Sequence, residues 1–119
     1  MLKDLDAGKL KAVYIVTGYT DLRFGIDGLA GQIQNKYQLE AFDKDTLFLF
    51  CGRRADRYKV LMYDGDTYSL APGRLEGRSL RWPRAEGMAW KLSRATFFRL
   101  LDGERVTESD ALASFGRVG

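Results

Sequence analysis

Hydrophobic residues in the first half of the chain fall into two short runs separated by one long periodic segment. Residues 12–17 (Ala-Val-Tyr-Ile-Val-Thr) are β-branched or aromatic and end at a glycine, which predicts a strand. Residues 47–51 (Leu-Phe-Leu-Phe-Cys) are continuously apolar, which predicts a central strand buried on both faces. Between them, apolar positions recur at helical spacing and predict a helix over residues 22–37.

Three glycines interrupt this predicted helix, namely Gly25, Gly28 and Gly31. Each costs about 1 kcal/mol relative to alanine in a helix interior, so the helix needs an offsetting interaction. Close packing of the helix backbone onto a sheet is one explanation, and a bound phosphate near the helix start is the other. Thr20 is the expected N-cap, with Asp21 in the first turn.

In the middle of the chain, apolar and polar residues alternate as they do in half-buried strands. The alternation predicts strands over residues 57–63, 67–70 and 79–82, with Asp64-Gly65-Asp66 as the first hairpin turn. We therefore expect a three-stranded antiparallel meander with one apolar face. The opposite face would carry Arg57, Lys59, Tyr63 and Arg81.

The last third of the chain is predicted to be helical and then irregular. Residues 84–90 are expected to form a short helix, and Ser93 is expected to cap a second helix that ends at Gly103. Beyond Gly103 the polarity rises without a period, so residues 104–119 are expected to form a loose polar tail.

Together these elements predict one α+β domain over residues 1–103. Its sheet would be mixed or antiparallel, with about five strands including the meander. The long helix and one or two C-terminal helices would cover one face, and the other face or its rim would carry the arginines. Whether the strands at residues 13–17 and 47–51 pair in parallel stays open, although a crossover through the helix permits it.

Composition removes several classes of chemistry. The 119 residues include no histidine, which excludes a histidine-based catalytic relay and a Cys/His zinc site. They include a single cysteine, so no intrachain disulfide can form. Carboxylates with a divalent metal, lysine and tyrosine remain, but no spacing selects a set of carboxylates. We therefore expect no catalytic residue, no metal site and no cofactor. A start without an apolar signal core and the lack of an apolar window of membrane-spanning length lead us to expect a cytoplasmic protein.

The charge of the chain is unevenly distributed. The net charge of +3 combines −1 over residues 1–50, +6 over residues 51–99 and −2 over residues 100–119. Nine of the eleven cations in the central region are arginines, whose planar fork suits phosphate. With tyrosines and tryptophans interleaved, this composition is typical of a nucleic-acid-binding surface.

The predicted nucleic-acid-binding residues are Arg53, Arg54, Arg57, Lys59, Tyr63, Arg74, Arg81 and Arg84. An alternative stays open, in which these cations form a solvated face paired with nearby aspartates and glutamates. A glycine and two arginines directly after a buried strand, at Gly52, also allow phosphate binding through backbone N–H groups.

Three longer stretches closely resemble one known family, the small accessory protein encoded by the second open reading frame of the sixty-six family of bacterial insertion sequences, often labelled TnpB. The resemblance covers about residues 12–103. The stretches are Gly18-Tyr19-Thr20-Asp21-Leu22-Arg23 running on to Gly25-Ile26-Asp27-Gly28-Leu29-Ala30, Leu47 through Arg57, and Arg74-Leu75-Glu76 followed by Trp82-Pro83-Arg84. Apart from the cations already named, the matching motif residues are Thr20, Asp21, Arg23, Gly25, Gly28, Asp56, Gly65, Trp82 and Pro83.

The resemblance implies a non-catalytic accessory role in transposition, beside a larger transposase that carries the catalytic carboxylates. It implies DNA at the element ends and the transposase as partners. Two departures remove positive charge, because Phe24 and Gly73 stand where lysines are usual. Tyr63 replaces a usual tryptophan.

A second hypothesis is a protein-interaction module that docks the transposase without contacting DNA. It rests on the many aromatic residues and arginines, which are favoured at interface hot spots. Its expected surface is the last helix, through Phe97, Phe98 and Leu101, and the alternative is that these residues simply close the core.

Overall fold

Both apolar runs form adjacent strands at the centre of one sheet. The computed structural model describes residues 10–85 and 87–116, and within them the sheet has six strands. The elements in chain order are β1 Ala12–Val16, α1 Ile26–Lys36, β2 Thr46–Cys51, β3 Arg57–Tyr63, β4 Tyr68–Arg74, β5 Met88–Leu92, α2 Arg94–Leu101, a 3-10 helix Glu108–Asp110 and β6 Ala113–Gly116.

The strand order is β4-β3-β2-β1-β5-β6. β1 and β2 pair in parallel, with Val13 opposite Leu47, because α1 carries the chain back between them. All other neighbours pair antiparallel. The sheet is therefore mixed and the α+β class is confirmed, with the parallel pair at its centre.

The two helices cover opposite faces of the sheet, so the expectation that all helices lie on one face is wrong. On the α1 face, Leu29 and Ile33 pack against Phe48 of β2. On the α2 face, Phe97 and Leu100 join the cluster that contains β2 residues 47 and 49. Every residue of β2 is buried, as its unbroken apolar run predicts, and such a strand requires a layer on each side.

The first helix starts four residues later than its pattern predicts. Gly25 is its N-cap in extended conformation, and the preceding turn is held by Asp21 Oδ1, which accepts from the Arg23 N–H at 3.0 Å. Thr20 is therefore not the cap. A Cβ at Gly28 would lie 2.9 Å from Cδ1 of Phe24, so this glycine makes room for a neighbouring side chain rather than for the sheet.

The predicted meander has only its first hairpin. β4 extends to Arg74 as an edge strand, a position that tolerates Pro72 although proline has no N–H to donate, and residues 75–85 are not a strand. They cross the α2 face, with Leu80 and Trp82 buried in its core. Trp82 Nε1 donates to the Val16 carbonyl at 3.2 Å, which fixes this segment to β1 instead of β4.

Two C-terminal predictions are also wrong. The helix predicted over residues 84–90 does not form in the described part of this segment, since residues 88–92 form β5 and bury Ala89, Trp90 and Leu92 beside β1. Residues 104–116 are not a loose tail, since β6 pairs with β5 and shields its edge. Residues 1–9 and 117–119 of the predicted domain and tail lie outside the described residues.

The capping prediction for α2 is confirmed. The Ser93 side chain accepts from the Thr96 N–H at 3.1 Å, and Gly103 adopts φ +93° just beyond the last turn. Phe97 and Leu101 are buried and Phe98 is partly buried against the same core. The apolar side of α2 therefore closes the core, and it does not form the exposed docking surface expected of it. Neither α-helix in the described part of the chain has the length and hydropathy of a membrane span.

Candidate nucleic-acid interface

A cleft of about 720 Å³ opens where the two central parallel strands end. The loops that follow β1 and β2 meet there, since the carboxyl ends of parallel neighbours share one edge of a sheet. The Thr20 N–H donates to the Cys51 carbonyl at 2.9 Å and joins the first loop to the end of β2, where the second loop begins. The cleft is lined by Tyr19, Thr20, Asp21, Leu22, Arg23, Gly52, Arg53, Arg54, Arg57, Tyr58, Lys59, Pro72 and Gly73.

The loop at residues 52–56 is a tight turn between β2 and β3. The Gly52 N–H donates to the Arg57 carbonyl and the Arg57 N–H to the Arg54 carbonyl, each at 3.1 Å. A Cβ at Gly52 would lie 2.9 Å from Cδ1 of Leu22, so the absent side chain lets the first loop pack onto the second. This packing brings the two motif stretches around residues 20 and 53 together.

Four of the predicted binding residues line this cleft. They are Arg53, Arg54, Arg57 and Lys59. Two of them are tied internally: Arg54 pairs with Asp56 at 2.9 Å, and Lys59 Nζ donates to the Phe24 carbonyl at 3.1 Å. The Arg57 side chain is exposed and has no ion-pair or hydrogen-bond partner within residues 10–85 and 87–116.

Tyr19 is a site residue that the sequence reasoning missed. Its side chain is 53 % exposed, and the guanidinium carbons of Arg84 and Arg53 lie 4.5 and 5.3 Å from its ring centroid. Its place between Gly18 and Thr20 in a motif stretch was the available signal. The ring therefore orients two of the predicted binding arginines.

Arg84 acts on the loop from a distant part of the sequence. Its Nη1 donates to the Gly52 carbonyl at 3.5 Å and its Nη2 to the Arg53 carbonyl at 3.4 Å. These contacts hold the backbone of the loop that presents Arg53.

The pKa values of Asp21, which lines the cleft, and of Cys51, at the end of β2 beneath it, bear on the chemistry of the site. Hydrogen bonds from the Arg23 side chain, and then from its backbone N–H, lower the pKa of Asp21 to about 2. Asp21 is therefore a carboxylate at neutral pH and offsets the charge of Arg23. Burial raises the pKa of the Cys51 thiol to about 11, so it is protonated at neutral pH and is not a nucleophile.

The remaining predicted binding residues lie elsewhere. Arg74 is the register partner of Arg57 at the end of β4, next to the cleft, with its Nε 3.8 Å from Glu76. Arg81 lines a separate groove on the α2 face. Tyr63 lies at the far end of β3, about 20 Å from Arg57 at roughly 3.3 Å per residue.

Tyr63 belongs to an aromatic cluster, where its ring lies 4.7 Å from that of Tyr68 and its hydroxyl donates to the Gly65 carbonyl. The structure therefore does not bring Tyr63 and Arg81 together with the loop arginines. The cations of the cleft lie at the rim of the sheet, because α1 and α2 cover its faces, whereas Arg81 lies on the α2 face.

Most of the other motif residues build the frame around the cleft. The Pro83 carbonyl accepts from the Gly18 N–H at 2.9 Å, beside the Trp82 contact already described. The Asp56 carbonyl accepts from the Leu75 N–H at 2.8 Å. Gly65 adopts φ +104° in the β3–β4 hairpin. Within the described residues, no three Cys, Asp or Glu side chains gather as a metal site would require.

Comparisons with known proteins agree with the motif stretches. The family model described as "IS66 Orf2 like protein" matches residues 11–111. The chain is 38 % identical over 99 residues to "Uncharacterized protein y4hO" of Sinorhizobium fredii, covering 83 % of this chain and 85 % of that protein. No solved structure matches the chain. The family match spans both loops of the cleft and the strands that carry them, and the chain therefore belongs to the IS66 Orf2-like family.

Proposed function

We propose that this protein is a non-catalytic accessory factor of insertion-sequence transposition that binds DNA at the element ends through the cleft. Family membership supports the accessory role. The observation that supports DNA binding is the collection of Arg53, Arg54, Arg57 and Lys59 in one open cleft.

The charge balance of the cleft favours a polyanion. Its lining includes five cationic side chains, of which one is offset by Asp21 and one by nearby Asp56. Arg53 and Arg57 keep their guanidinium N–H groups without a hydrogen-bond acceptor among the described residues. Arginine binds phosphate through a planar pair of donors, so these two side chains are the proposed phosphate contacts.

The frame of the cleft favours a fixed geometry. Tyr19 and Arg84 restrain Arg53 and its loop, and the Thr20 N–H holds the neighbouring loop to the end of β2. A preorganised contact loses less conformational entropy on binding than a mobile one. The proposed roles are therefore phosphate contact for Arg53 and Arg57, and loop support for Arg84.

Fluorescence anisotropy with a labelled element-end duplex, titrated between 50 and 200 mM salt, tests this proposal. Each duplex phosphate contact contributes about −0.9 to the slope of log K against log salt. We expect R53Q/R57Q to bind at least about tenfold more weakly and to reduce the slope by about two.

K11Q/K44Q is the matched control, because Lys11 and Lys44 precede β1 and β2 at the opposite end of the sheet and removing them changes the net charge equally. It should bind as the wild type does. No binding by the wild type at the lowest salt would overturn the proposal. Co-purification with the transposase in that case would favour the docking module instead.

A further inference from the structure

A second groove lies on the α2 face, between residues 81–85 and residues 105–108. Its volume is about 840 Å³. Three arginines line it, namely Arg81, Arg84 and Arg105. Among the described residues that line the groove, Glu108 is the acidic one.

The groove adjoins the cleft through one side chain. Arg84 lines the groove, while its guanidinium lies on the Tyr19 ring and against the carbonyls of residues 52 and 53, which line the cleft. A linear ligand that leaves the cleft past Tyr19 therefore reaches the groove at Arg84.

Two cations of the groove form no ion pair with any residue that the structure describes. Arg81 and Arg105 are exposed, and neither has an ion-pair or hydrogen-bond partner within residues 10–85 and 87–116. The Glu108 carboxylate instead accepts from the Ser114 hydroxyl at 3.5 Å. Two free guanidinium groups beside a positively charged cleft point to an anionic ligand that spans both.

The groove suits a phosphate backbone better than an apolar protein segment. Protein interfaces concentrate their binding energy in pockets that take up large apolar or aromatic anchors. Here Trp82 and Trp90 line the groove but are 5 % and 3 % exposed, so they already fill the core beneath it. The guanidinium groups of Arg81 and Arg105 stay accessible at the groove, and such forks match phosphate oxygens.

We propose that this groove is a second DNA-backbone subsite, continuous with the cleft, in which Arg81 and Arg105 bind phosphates of the same DNA molecule. The inference rests on the proposed function and extends it. It adds Arg105, which lies in the acidic last segment of the sequence and so carries no compositional signal.

The test uses a labelled duplex of about 16 base pairs, which at ~3.4 Å per pair exceeds the 37 Å longest extent of the molecule. Anisotropy titrations at several salt concentrations compare R81Q/R105Q, R53Q/R57Q and the quadruple variant with K11Q/K44Q. All four substituted arginines have exposed side chains, and thermal melting followed by circular dichroism checks that each variant is folded.

We expect R81Q/R105Q to reduce the salt slope by about two, and the quadruple variant by about four, because both pairs bind the same DNA. If R81Q/R105Q keeps the wild-type salt slope and DNA affinity while R53Q/R57Q loses affinity, the second subsite is overturned and the proposed function stands. If R81Q/R105Q instead loses only its co-purification with the transposase, the groove binds an acidic protein segment and the inference is wrong. Absence of wild-type binding would overturn both proposals.

Discussion

Arginine side chains in this molecule serve two different purposes. Arg78 Nη1 donates to the Leu101 carbonyl at the end of α2, and Arg84 holds the cleft loop. The side chains of Arg53, Arg57 and Arg81 have no hydrogen-bond or ion-pair partner among the described residues. The Arg54–Asp56 pair is largely exposed on its arginine side and contributes less than about 1 kcal/mol to stability. The main effect of this ion pair is therefore to position the loop at residues 52–56.

Two buried threonines give a matched test of hydrogen bonding at the residue scale. Thr46 Oγ1 is buried without a partner in the described structure, whereas Thr17 Oγ1 donates to the Met88 carbonyl at 3.2 Å. Thr46→Val removes an unsatisfied hydroxyl, so we expect the free energy of unfolding to rise by about 1 kcal/mol. Thr17→Val removes this hydroxyl hydrogen bond, while the Met88 carbonyl keeps the Thr17 N–H as its donor at 2.9 Å, and should lower the free energy of unfolding by about 1 kcal/mol. Urea denaturation measures both, and equal effects of the two substitutions would contradict the assignment.

At the scale of elements, the edge strand β4 depends on a glycine. Gly73 pairs with Tyr58 across β3 and β4, and a Cβ at Gly73 would overlap the Tyr58 ring. The lysine expected here from the family pattern is therefore incompatible with this ring position. The buried Tyr58 ring occupies the space that a side chain at residue 73 would fill.

We expect Gly73→Ala to lower the free energy of unfolding by about 2 kcal/mol, because the Tyr58 ring must leave its site in the core. Gly31→Ala is the control, since this glycine lies inside α1 and its nearest neighbour to a new Cβ is 3.9 Å away. It should raise the free energy of unfolding by roughly 0.5–1 kcal/mol, as alanine favours the helix. If Gly73→Ala also stabilises the protein, the ring does not pack as described.

At the scale of the whole molecule, the last strand completes the sheet. β6 pairs with β5, and its Phe115 packs on Tyr14 of β1 with ring centroids 6.0 Å apart. The end of the described chain thus covers an edge that would otherwise expose the N–H and C=O groups of β5.

We expect Phe115→Ala to lower the free energy of unfolding by about 2 kcal/mol. This is less than the loss expected for a fully buried phenylalanine, because Phe115 is only partly buried. Leu112→Ala, just before the strand, should change it by less than about 0.5 kcal/mol because Leu112 is 64 % exposed. Similar small changes for both would show that the C-terminal segment adds nothing to the fold. Guanidinium chloride unfolding of the full chain provides the measurement.

The local pattern predicted those elements whose own residues specify them. β1, β2 and the Ser93-capped α2 appear where expected, because a continuous apolar run or a side-chain cap acts within a few residues. Residues 79–82 alternate like a strand, yet they pack as an irregular segment because the Val16 carbonyl and the α2 face take up Trp82. The alternation predicts which side chains are buried, but it does not determine which strand or helix the segment packs against.

The sequence by itself determined the α+β class, the absence of histidine chemistry, the family and the arginine-rich centre of the chain. Only the tertiary structure decided that both faces of the sheet are covered, so the cations of the cleft lie at its rim. It also decided that Arg84 and Tyr19 support Arg53, and that Arg105 joins the same side of the molecule. These contacts link residues far apart in the chain, and they depend on the parallel pairing of β1 and β2, which brings both loops to one end of the sheet.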